Sequence, residues 1–139
     1  MIYRDPHTRL SITTPVFDRT VFGQLVEDLE VDSALNFLTT FTSLLGPRIT
    51  RIEHALTQHG HDNQGGHDSG EFIEALLSLR ASAAMVGARR LEVLTTTTLT
   101  ETGAPNIVGR SLIRQLHDEA RWFTAATARL QHPSAYLAA

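Results

Sequence analysis

Three features of this sequence predict an all-α fold, an antiparallel four-helix bundle with a short irregular N-terminal segment. Apolar residues recur three and four positions apart along most of the chain, the period of a helix with one buried face. Alternation at every second residue, which a half-buried strand needs, is rare. The connections between periodic segments are short, so successive helices must fold back on one another.

Composition sets the outer bounds. At 139 residues the chain is the size of one domain, and 42% hydrophobic with 19% charged residues is a globular balance. It contains no Cys, which removes disulfides, thiolate zinc sites and cysteine nucleophiles. A net charge of −3 argues against a nucleic-acid partner. All twelve basic residues are Arg, so Schiff-base and P-loop lysines are excluded. Arg4, Asp5, His7 and Arg9 stand where a signal peptide needs an apolar run. No apolar stretch approaches the roughly 20 residues that span a bilayer. The expectation is a soluble cytoplasmic protein without membrane contact or cofactor.

Along the chain, residues 1–15 read as an extension, 16–131 as the bundle and 132–139 as a flexible tail. A short helix is expected from about Asp18 to Leu29, burying Phe22, Leu25, Val26 and Leu29. Asp32 is placed to cap the next helix. Its stripe of Leu35, Leu38, Phe41, Leu45, Ile49, Ile52 and Leu56 keeps phase across Gly46-Pro47, which predicts one kinked helix to about Gln58, with two separate helices as the alternative. His59 to Gly70 reads as a loop, closed by a capping-box-like Asp68 and Glu71. A third helix then runs from Ser69 to about Thr95 and frays in the Thr-rich stretch before Gly103. Pro105 opens the last helix, with Val108, Leu112, Leu116, Ala120, Phe123 and Leu130 on its inner face.

The third helix carries the functional signal. At about 100° per residue, Phe72, Leu76, Leu79, Ala83, Val86 and Leu94 share one direction, the core side, and Arg90 points the same way with its head in water. Opposite lie Leu77, Ala81, Ala84 and Ala88, with Ile73 at the margin and Arg80 at the edge. A solvated face normally carries charged and polar side chains; one large apolar residue among alanines lets another helix approach closely. The competing reading is an ordinary helix surface on which Ala is simply a good helix former.

From Leu77 through Leu91 the residues LSLRASAAMVGARRL resemble the signature helix of histidine-containing phosphotransfer (HPt) domains, H-x-L-K-[GS]-S-[AS]-A-x-x-G-A-x-x-L with small variations in spacing. The resemblance extends more loosely from Val16 to Leu130, its specific part being Leu79 to Leu91. It implies a four-helix bundle whose phospho-accepting histidine is exposed midway along one helix. Anchored on Leu79 and Gly87-Ala88, the alignment puts Leu77 where that histidine stands, Arg80 at the family's lysine, Ala81 at its small residue and Ser82 at its serine. Leucine cannot carry a phosphoryl group. The resemblance therefore implies a pseudo-phosphotransfer protein, not an enzyme. It would bind a response-regulator receiver domain or a hybrid histidine kinase through Ile73, Leu77, Arg80, Ala81, Ala84 and Ala88. The alternatives are a helical homodimer or adaptor using the same face, and a phospho-carrier working through His54 or His117.

Other groupings are weaker. His59, His61, Asp62, His67 and Asp68 crowd one segment with metal-ligand chemistry, but no rigid helical pair fixes them, so a polar loop is expected and no metal site is assigned. Arg89, Arg90, Arg110 and Arg114 are expected as rim charges paired with Glu92, Glu101 or Asp118. Nucleotide-binding glycine motifs and a nucleophile elbow are absent from the sequence.

Overall fold

In the computed structural model, residues 14–61, 67–100 and 105–131 are described, and among them every regular element is helical. Six helices pack against one another: α1 Arg19–Leu29, α2 Val31–His61, α3 His67–Val86, α4 Arg89–Thr100, α5 Pro105–Ala126 and α6 Ala128–Gln131. Residues 1–13 and 132–139, expected as most of the extension and as the tail, lie outside the described residues.

Each start and stop has a local cause. The Asp18 carboxylate accepts from the Thr20 and Val21 amides and so caps α1. Glu30, in the left-handed region at φ 72°, ends it. The Ala34 amide donates to the Glu30 carbonyl, so α2 is already under way before Asp32. Asp32 lies inside the first turn rather than at the cap. Its charge is still favourable there, near the positive end of the helix.

Helix α2 runs through Pro47 without interruption as far as His61. Leu38, Phe41, Leu45, Ile49 and Ile52 are buried along it on both sides of the proline, while Leu35 and Leu56 pack on the margin. One lost hydrogen bond is outweighed by a continuous apolar stripe. The expected 59–70 loop is shorter than read. His59 and His61 belong to the last turn of α2, and His67 to Gly70 to the first turn of α3. Asp68 is thus within the helix rather than capping it.

The main departure is at Gly87. The expected Ser69–Thr95 helix is two helices, because the chain leaves α3 through Gly87 at φ +82° and restarts at Arg89. The Ala88 amide reaches back to the Ala83 carbonyl at 2.9 Å, the six-to-one bond of a Schellman ending. The Gly87 carbonyl in turn accepts from the Asp18 amide at 2.7 Å. A Cβ on Gly87 would collide with the Asp18 carbonyl oxygen. The entry to α1 is therefore seated on the α3–α4 junction, a contact only glycine permits.

Helix α4 is well formed where fraying was expected. Thr95 and Thr98 are buried, their hydroxyls bonded to the carbonyls of Leu91 and Leu94. Helix α5 buries Leu112, Leu116, Ala120 and Phe123. It stops at buried Thr127, leaving α6 as a separate turn tied to α2 by Thr42 and Gln131. Phe123 meets Phe17 and Phe41 edge-on, joining the entry segment, α2 and α5. Leu29 and Leu130, expected inside, are exposed.

Candidate functional site

Helix α3 buries Leu76, Leu79, Ala83 and Val86 and turns the other side outward. Leu77 is 40% exposed near the middle of the helix, and Ala81, one turn on, is also exposed. Met85, one turn further, is 45% exposed. Together they form a strip of two large apolar side chains around an alanine, with Glu74 and Ser78 exposed beside it. Ile73, Arg80 and Ala84 are half-buried on one flank.

Ala88 does not belong to this face. It is fully buried in the core cluster. Phasing a single helix through Gly87 places it outward, whereas the left-handed turn swings it inward. Met85 is the residue the sequence reading omitted. Its spacing of eight from Leu77 already assigns it to the same face.

The other flank is built by α2. The Arg48 guanidinium donates through Nη1 to the Ser82 hydroxyl at 2.9 Å and to the Ser78 carbonyl at 3.5 Å. Ser82, at the serine position of the phosphotransfer pattern, thus holds an arginine beside the strip. Leu44, one turn before Arg48 on the same row of α2, is 39% exposed. Nothing local in sequence ties Arg48 to α3, because the contact joins residues more than thirty positions apart.

The remaining candidates fall elsewhere. Arg90, on the flank of α4, has its head bound to protein rather than in water. Nε donates to both oxygens of Glu119, at 2.9 and 3.0 Å, and the Glu119 side chain is only 4% exposed. The Trp122 ring lies 6.0 Å from the guanidinium carbon. Arg89 pairs with Glu92 at the surface, as expected. His54 and His117 are exposed, on α2 and α5. The side chains of His59, His61, Asp62, His67 and Asp68 lie outside the described residues. An open groove on α4 is lined by Thr14, Arg89, Glu92, Val93, Thr96, Thr97 and Thr100.

The chemistry available at the α3 face is therefore contact chemistry: two thioether- or methyl-rich side chains, a small residue between them and guanidinium groups to either side. No helix among the described residues is long and apolar enough to cross a membrane. No family model matches the chain, and no curated protein or solved structure matches it.

Proposed function

We propose that this protein is an HPt-like four-helix bundle that docks a receiver domain, or a hybrid kinase carrying one, and modulates a phosphorelay without accepting phosphate. The observation that carries this reading is the exposure of Leu77 midway along α3, at the position of the resemblance's phospho-accepting histidine. The resemblance also divides sensibly between inside and outside. Its apolar positions Leu79, Ala83, Ala88 and Leu91 are buried, and its glycine, Gly87, closes the helix. Its recognition positions Leu77 and Ala81 face outward. The scaffold positions are kept and the nucleophile is replaced.

Phosphoryl transfer through this face needs an accessible imidazole nitrogen; an isobutyl group offers none. What it offers instead is apolar area. Covering the exposed two-fifths of Leu77 contributes about 1 kcal/mol. That is too little to hold a partner alone, so Met85 and the flanking polar groups must share the contact.

The test pairs binding with labelling. The protein is incubated with receiver domains and with a phosphorylated kinase of the same genome. A receiver should bind without any acid-labile phosphohistidine forming on this chain. Stable labelling of His54 or His117, removed by the corresponding His→Ala change, would overturn the reading.

A further inference from the structure

Two cations border the strip from opposite sides. On α3, Arg80 and Ser82 stand about 200° apart across the outward side of the helix, with Leu77, Ala81 and Met85 between them. Ser82 is where Arg48 of α2 is anchored. The guanidinium groups of Arg48 and Arg80 thus flank the apolar strip. Among the described residues no carboxylate pairs with either of them. By contrast, Arg89, Arg90 and Arg121 each have an acidic partner within 3.1 Å. Both strip-side arginines are half-buried, and the Arg48 head is held by the Ser82 hydroxyl and the Ser78 carbonyl. Arg51, one turn beyond Arg48 on α2, adds a further cation that is exposed.

We infer that this face recognises a partner whose own contact patch is apolar at the centre and edged with carboxylates, with Arg48 and Arg80 as the residues that read the acidic edge. The inference rests on the docking reading above and extends it to α2, naming the partner's chemistry and the specificity residues. Charge complementarity favours such a partner over a second copy of this chain. A two-fold contact centred on Ala81 would match Leu77 with Met85 of the other copy, but it would also bring the Arg80 flank against the other copy's Arg80 flank and the Arg48 flank against its Arg48 flank. Like charges so placed oppose self-docking.

The experiment measures receiver affinity by titration at two salt concentrations, for the wild type, Arg80→Glu, Arg48→Glu and Leu77→Asp. Circular dichroism checks that each variant keeps its helix content, and Arg48→Gln serves as the milder variant if Arg48→Glu does not fold. The expected result is about a tenfold or greater loss of affinity for each charge reversal, and binding that weakens as salt rises. If Leu77→Asp abolishes binding while the arginine variants and salt leave it unchanged, the cationic grip is wrong and the docking reading stands. If no receiver binds the wild type, both fall. A dimer in sedimentation that Leu77→Asp converts to monomer would assign the face to self-association instead.

Discussion

The two ends of the phosphotransfer-like motif live in opposite environments. From Leu77 to Met85 the motif presents a strip to the outside; from Gly87 to Arg90, the exposed Arg89 apart, it is built into the protein. At the strip, large apolar side chains stay partly uncovered and the arginines have no acidic partner among the described residues. At the junction, Gly87 carries a left-handed turn against Asp18, Ala88 is sealed in the core and Arg90 is clamped by Glu119. If the strip is a docking face as proposed, substitutions should separate the two ends: stability at the junction, binding at the strip.

The largest expected effect is at Arg90. Arg90→Ala strands the Glu119 carboxylate in an almost fully buried position, and removing one partner of a buried pair costs about 3–5 kcal/mol. Because 19% of the Arg90 side chain is exposed and water can enter, the lower end is expected. Arg89→Ala, whose exposed pair with Glu92 is the neighbouring control, should cost about 0–1 kcal/mol. Urea unfolding midpoints at unchanged slope read both. Equal effects of the two changes would erase the distinction between a clamped junction and an ordinary surface.

Gly87→Ala comes next. A left-handed backbone at a non-glycine residue costs about 1–3 kcal/mol, and here the new methyl also displaces the Asp18 carbonyl. Because the Asp18 carbonyl and amide both face this junction, the change should loosen α1 as well as the α3–α4 turn. Faster hydrogen exchange at the Asp18, Thr20 and Val21 amides is the expected signature. Protection unchanged at those amides would mean that α1 does not depend on the junction.

What the sequence made legible follows the range of the interactions. The buried stripe of α2 was readable, and so was its continuity through Pro47, because both rest on periodicity within one segment. Leu77 pointing outward was readable for the same reason. The break at Gly87 was not. A glycine among small residues reads as a tolerated helix position, and its left-handed turn is matched to Asp18, almost seventy residues away. That single missed turn accounts for the misplacement of Ala88. The Arg90–Glu119 clamp and the Arg48–Ser82 bond are equally non-local, so sequence spacing could not announce either. Leu29 was misplaced because it stands at the last residue of α1, where the buried stripe runs out, and Leu130 because the break at Thr127 takes it out of phase with α5.

The smallest expected effect on stability is at the strip, and it is the sharpest discriminator. Leu77→Gln keeps the length and helix propensity of the side chain while removing its apolar end. With that end facing outward, the unfolding midpoint should move by no more than about 0.5 kcal/mol in stability. Affinity for a partner that uses the strip should nevertheless fall, because a docked glutamine must surrender its water or find new hydrogen bonds. A residue kept for packing would show the reverse pattern, a large stability loss with no specific loss of binding. A cost above about 2 kcal/mol would place Leu77 with Leu79 in the core rather than with Met85 on the strip. The two faces of α3 would then no longer differ, and the proposed contact role of Leu77 would fall.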